Sequence, residues 1–254
     1  MRHLTYFISD LHLGAGYIAD RRAHERTICS WLESIAADAK ELYLLGDILD
    51  YWYEYHDVVP RGFVRFFGAL ARLADSGVKI TWLTGNHDIW IFDYLPSEIG
   101  MEVVDGTAIR IIDGKRFLLE HGDGVGELRR SYRFMHRMFR NRTCQRLFSA
   151  IHPRWTVGFA HRWSAHSRLT GTADTTEGIA DNDPLVRFAR KTLDEGNHID
   201  YFVFGHRHKI VDMPIGTDSR LILLGDGFKL FSYGVFDGTN FSIKFIKNES
   251  ASGV

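Results

Sequence analysis

A chain of 254 residues, 45% hydrophobic and 25% charged, can bury a substantial core as one domain, which excludes a disordered protein. Only Cys29 and Cys144 are present, both in segments that read as helices, so a disulfide framework and a Cys-x-x-Cys metal site are excluded and a reducing compartment is expected. The formal charge of −1 looks uninformative, but it conceals an asymmetry that appears when the chain is divided.

The first strand is predicted at "LTYFIS", 4 to 9. The opening breaks to Asp10 and His12 too soon for a secretory signal, and no apolar run reaches the ~20 residues needed to cross a bilayer. A cytoplasmic protein is the expectation. A helix comes next at 20 to 39, with Ile28, Leu32 and Ile35 on one face, then a strand at "ELYLL", 41 to 45. A second helix is predicted at 61 to 76, carrying Phe63, Phe66, Phe67 and Leu70, and a strand at "VKITWL", 78 to 83. This alternation predicts a layered α/β arrangement, a sheet covered by helices. Further strands are predicted at "RFLLE", 116 to 120, and "DYFVF", 200 to 204. Between them, 127 to 168 reads as an inserted helical cap on a single domain spanning 1 to 254. The tail "RLILLGDGFKLFSYGVFDGTNFSIKFI" alternates apolar and polar residues with Asp-Gly turns, which suits antiparallel strands.

The chemistry lies in the loops after the five strands. The strand ends read "SDLH", "GDILD", "GNHD", "EHGD" and "GHRH", so each delivers Asp, Asn or His to a loop at a carboxyl edge, where open α/β sheets bind ligands. Asp10 and His12, like His206 and His208, are two apart, a spacing that in extended backbone points both side chains to one side. Any one of these residues alone is more often a cap or a turn residue; five strand ends so equipped point to one site. Imidazoles, carboxylates and an amide without thiolate suit borderline to hard divalent cations. Seven candidate ligands exceed one open tetrahedral site and suit two cations sharing a carboxylate. Such a centre generates a nucleophile from water and clamps the oxygens of a displacement at phosphorus, so hydrolysis of a phosphate ester or anhydride is expected.

The ordered set Asp10-x-His12, Gly46-Asp47, Gly85-Asn86-His87-Asp88, His121-Gly122 and Gly205-His206-x-His208 resembles the five-block signature of the calcineurin-like metallophosphoesterases. The resemblance implies a four-layer α/β/β/α sandwich with two central sheets, here with the inserted helical cap. It implies Asp10, His12 and His208 as ligands of one cation and Asn86, His121 and His206 as ligands of the other, with Asp47 bridging. It implies two divalent cations, Mn²⁺ foremost, with Fe²⁺, Zn²⁺ or Mg²⁺ as alternatives. His87 is implied beside the substrate phosphate as a catalytic group, and Asp88 as the residue that orients it.

The cap narrows the substrate. Residues 127 to 168 hold ten arginines, one acidic residue and no lysine, against 21 basic and 31 acidic residues elsewhere. Arginine interleaved with Tyr132, Phe134, Phe139, Phe148, Trp155, Phe159 and Trp163 suits phosphate recognition beside apolar surface, with Arg129, Arg133 and Arg162 as candidate substrate-binding residues. A basic helix with an apolar side also suits a membrane interface. The placement of this cap resembles the superfamily branch that cleaves UDP-2,3-diacylglucosamine to UMP and 2,3-diacylglucosamine 1-phosphate in lipid A synthesis. The chain departs from that branch's proteobacterial members at His87, where they carry Arg, and at the start of the cap. The resemblance implies a nucleotide-lipid substrate and a peripheral position on the cytoplasmic face of the inner membrane, with no nucleic acid and no obligate protein partner. A hydrolase of another nucleotide diphosphate or phosphodiester, and a non-catalytic scaffold of the same fold, are the alternatives.

Overall fold

The computed structural model describes residues 2–126, 130–153, 155 and 179–247. Its first strand, β1 (Leu4–Ile8), alternates its side chains between two cores, with Tyr6 and Ile8 on one face and Phe7 on the other. The same period-2 division runs through β2 (Ala39–Leu45) and β3 (Lys79–Leu83), with Leu42, Leu44, Ile80 and Trp82 on one side and Tyr43, Leu45 and Leu83 on the other. Strands buried on both faces need two covering layers, and both are present.

Helix α1 (Arg21–Ile35) and helix α2 (Val64–Asp75) cover one face of the first sheet. Asp20 caps α1 by accepting the Ala23 amide at 2.8 Å. The helix ends four residues before the predicted 39, because Ala39 already pairs with Leu4 and the Asp38 carbonyl accepts the His3 and Leu4 amides. Helix α2 begins at Val64 rather than 61, since Phe63 takes a left-handed backbone with φ 60°. A short α3 (Tyr94–Ile99) leads to β4 (Glu102–Val104), and the first sheet runs β11-β10-β1-β2-β3-β4.

The second sheet, β5-β6-β7-β9-β8, is built from β5 (Ala108–Ile112), β6 (Lys115–Glu120), β7 (Tyr201–Phe204), β8 (Ile210–Ile215) and β9 (Ser219–Leu224). Phe117, Leu119, Tyr201, Val203, Ile222 and Leu224 face the first sheet. Leu118, Phe202, Phe204, Leu221 and Leu223 face outward, where α6 (Pro184–Asp194) covers them with Leu185, Val186 and Ala189. The layers are therefore α/β/β/α, as the resemblance implied. Helix α6, α3 and strands β4, β5 and β8 were not among the predicted elements.

The tail is not one antiparallel meander. β9 lies parallel to β7 in the second sheet, and the Asp226-Gly227 turn carries the chain across to β10 (Ser232–Phe236) in the first. Only β10 and β11 (Phe241–Phe245) form the expected hairpin, around Asp237-Gly238. The described part of the cap comprises α4 (Arg130–Arg140) and α5 (Arg142–Ser149). Among the described residues, no helix is long and apolar enough to cross a membrane.

Candidate metal centre

Five loops meet at the carboxyl edges of β1, β2, β3, β6 and β7, the arrangement expected from the sequence. Their candidate ligand atoms form three overlapping groups, each with its atoms within 4.8 Å of one another: Asp10, His12 and His208; His12, Asp47 and His87; Asp47, His121 and His206. Asp47 Oδ2 lies between two of them, 3.7 Å from His12 Nε2 and 3.3 Å from His121 Nε2. Asp10 Oδ1 is 3.8 Å from His12 Nε2 and 3.7 Å from His208 Nε2.

The ligand pairs do converge, but not from extended backbone. Asp10, His12, Asp47, His206 and His208 all take left-handed conformations, with φ of 53°, 45°, 52°, 66° and 49°. These are the tight loop turns that aim neighbouring side chains inward, a conformation costly for residues with a Cβ. Close approach also requires glycine. A Cβ on Gly85 would lie 2.3 Å from Asp47 Oδ1, and one on Gly205 would lie 2.6 Å from Asp10 Oδ2.

Backbone groups fix the donors. His121 Nδ1 is 2.9 Å from the Leu45 carbonyl, so Nδ1 carries a proton that it donates there, and Nε2 faces Asp47 Oδ2. The His206 amide donates to Asp10 Oδ2 and the His87 amide to Asp47 Oδ1, both at 2.9 Å. His87 Nδ1 is 2.9 Å from the Asp50 carbonyl, so its Nε2 faces the cluster, 3.9 Å from Asp47 Oδ2.

Asp88 stands elsewhere than its expected place beside the His87 ring. Its buried carboxylate accepts the Gly85 amide at 2.7 Å, the Ile48 amide at 2.8 Å and the Trp82 indole N–H at 3.2 Å. It ties the loop after β2 to the loop after β3, while Asp50 anchors the His87 ring. Burial, with the neighbouring Asp47 charge, raises the Asp88 carboxyl to about 6.

Burial alone would raise the Asp10 and Asp47 carboxyls too, but the surrounding imidazoles outweigh it. His208 and His12 hold Asp10 at about 2, and His121 and His87 hold Asp47 well below the ordinary range. Burial lowers His206 to about 4, with the His121 charge adding to it; for His121, burial acts downward but Asp47 and Asp10 push the ring well above its usual value.

The residues fit divalent cations. Asp10 Oδ1, Asn86 Oδ1 and His121 Nε2 are buried without a hydrogen-bond partner, an expensive condition unless the atoms ligate an ion. The donors are nitrogen and oxygen only, a set that suits manganese, iron or zinc. The sequence reading used Asp47 of "GDILD" and passed over Asp50 in the same block. It read Asp226-Gly227 as a hairpin turn, yet Asp226 Oδ2 is 3.8 Å from His208 Nδ1.

Beyond the cluster, Arg133 is exposed on α4 and lines a cavity of 530 Å³ with His136, Arg137 and Arg140. Arg129 and Arg162 lie outside the described residues. A groove of 690 Å³ opens on the other flank, bounded by Leu13 and Gly14 next to His12, with Arg21, Arg61 and Phe63.

Comparison with known proteins agrees with this geometry. Residues 4–210 match the family described as calcineurin-like phosphoesterase. A UDP-2,3-diacylglucosamine hydrolase of Porphyromonas gingivalis is 42% identical over 261 residues, covering 98% of this chain and 99% of that protein. Proteins of the same name from Nitrosococcus oceani and Ralstonia nicotianae are 30% and 28% identical, over 87% and 81% of this chain and 86% and 77% of theirs. A match of this extent, on a chain that gathers buried Asp and His donors from five strand ends, makes it a member of the calcineurin-like phosphoesterases, a metal-dependent phosphoesterase.

Proposed function

We propose that this chain hydrolyses the pyrophosphate of UDP-2,3-diacylglucosamine to UMP and 2,3-diacylglucosamine 1-phosphate. The supporting observation is the 42% identity to the Porphyromonas gingivalis hydrolase across 98% of the chain, joined to a cluster centred on the buried Asp47 carboxylate. In this reading Asp10, His12 and His208 hold one divalent cation, Asn86, His121 and His206 hold a second, and Asp47 bridges. Mn²⁺ is the proposed ion.

Two bound cations supply a nucleophile from water at neutral pH and neutralise charge at phosphorus. The chain's own residues do the rest. The Leu45 carbonyl keeps the His121 proton on Nδ1, so Nε2 remains a donor atom. His87, held through Nδ1 by the Asp50 carbonyl, presents Nε2 to the phosphate; protonated there, it donates to a non-bridging oxygen or to the departing oxygen. Asp88 acts through the backbone, keeping the Asp47 and Gly85 loops in register.

The cap takes the lipid side. Tyr53 and Trp90 fasten it to the body: Tyr53 Oη donates to the Gln145 carbonyl at 2.6 Å and Trp90 Nε1 to the Phe139 carbonyl at 3.0 Å, with both rings against Phe148. Phe134, Leu147 and Trp155 are about 70% exposed, at 71%, 68% and 71%, and 130 to 155 contain no acidic residue. Exposed apolar side chains set among arginines suit an anionic lipid surface, so we place the chain peripherally on the cytoplasmic face of the inner membrane. Arg133 and its neighbours neutralise the remaining anionic groups of the substrate.

Incubation with Mn²⁺ and UDP-2,3-diacylglucosamine, followed by phosphorus NMR, should show UMP. Brisk cleavage of a soluble nucleotide diphosphate or diester without UMP from the lipid would replace this reading by the broader one.

A further inference from the structure

We infer that Asp50 and Asp226 are positioning residues for His12 and His208, and that they make the Asp10–His12–His208 cluster the tighter of the two cation positions. The inference rests on the proposed two-cation centre.

His12 and His208 present matching arrangements. Each directs Nε2 toward Asp10 Oδ1, at 3.8 Å and 3.7 Å, and each has a buried carboxylate behind Nδ1. Asp50 Oδ1 is 3.6 Å from His12 Nδ1, and Asp226 Oδ2 is 3.8 Å from His208 Nδ1, with both carboxylates 2% exposed. These distances lie within ion-pair range and beyond hydrogen-bond range. A carboxylate there favours the proton on Nδ1, leaves the Nε2 lone pair toward Asp10, and strengthens the ring as a donor.

Both residues are anchored. Asp226 Oδ1 accepts the amides of Phe228, Lys229 and Leu230, at 3.2, 2.7 and 2.8 Å, so the other oxygen is left to face His208. Asp50 is fixed by its main chain, whose carbonyl accepts His87 Nδ1 and whose amide donates to the Leu13 carbonyl at 3.0 Å. One residue thus sets the direction of both His12 and His87.

The second cluster is built differently. His121 leans on the neutral Leu45 carbonyl, and its proposed partner Asn86 is an uncharged amide. On that side the buried Asp123 carboxylate lies 3.6 Å from His136 and its charge also acts on His121 and His206, one such acid where the first cluster has two. Asp47, shared by both cations in the proposed centre, lies 3.3 Å from His121 Nε2 and 3.7 Å from His12 Nε2. More negative charge behind the first pair of rings should therefore give it the higher affinity.

The test is calorimetric titration of EDTA-stripped protein with Mn²⁺ alone, for the parent chain, Asp50→Asn and Asp226→Asn. The parent should show two binding classes. Each substitution should loosen the tighter class by roughly 10–100-fold while the weaker class persists. Asparagine keeps the side-chain size and the Oδ1 acceptor that serves residues 228–230, and circular dichroism melting in EDTA confirms the fold. Should Asp50→Asn fail to fold, Asp226→Asn decides alone, because it bears on the same cluster. An unchanged tight class, or a loss shared equally by both classes, overturns the inference. A parent chain that binds no Mn²⁺ would instead defeat the two-cation centre itself.

Discussion

Asp10 is wholly buried, yet its carboxyl is held at about 2 because His208 and His12 outweigh burial. A folded-state value below the ordinary 3.8 means that the charged carboxylate favours the folded chain. That contribution is fully present above pH 3.8 and is lost as the pH falls through about 2. Its size is on the order of 2 kcal/mol, less whatever the neighbouring titrations share. Urea denaturation of EDTA-treated protein should therefore show Asp10→Asn losing less stability than the parent between about pH 4 and 2; parallel curves would assign the acid sensitivity elsewhere. Residue types at the strand ends were legible in the sequence because ligation demands Asp, Asn and His. Their left-handed backbones were not, since the same residue types also sit in ordinary turns.

At the scale of elements, the predicted strands were read well where both faces are apolar, as in β1, β2, β3 and β7. Strands β5 and β8 escaped because their sequences mix exposed and buried positions, with Arg110 in one and Asp212 and Pro214 in the other. Helix α6 escaped too, although Asp183 before Pro184 is a good start signal and its Asp183 side chain does accept the Leu185 amide at 2.8 Å. The proposed membrane interface belongs to the cap, where Phe134 and Trp155 are exposed. Phe134→Glu and Trp155→Glu each place a charge at an exposed position, so the fold should persist while binding to phosphatidylglycerol vesicles weakens by about tenfold or more per substitution. Co-sedimentation measures this; parent-like binding by both variants would remove the cap from the membrane interface.

For the molecule as a whole, two sheets and two helical layers converge on one buried cluster, and a cation that binds only the folded arrangement must stabilise all of it. At a hundred times its dissociation constant such a ligand contributes about 2.7 kcal/mol, which for a domain of this size raises Tm by about 5–10 °C. Thermal scans of EDTA-stripped protein with and without Mn²⁺ should show that rise, and its absence would argue against cation binding by the folded chain. The tertiary structure also explains what a local reading left out for two acids. Asp88 is next to His87 in sequence, yet its carboxylate serves amides 40 residues away. Asp226 is read locally as a turn residue, yet it stands behind His208.

The sequence by itself determined the alternating elements, the inventory of donors and the order of the five blocks, because apolar periodicity and ligand chemistry are written in residue types and short spacings. Only the tertiary structure decided which sheet each late strand joins, which acid supports which histidine, and how the cap is fastened through Tyr53 and Trp90. Those outcomes depend on contacts between residues far apart in the chain, and nothing in a local pattern records which of many compatible partners the folded chain will choose.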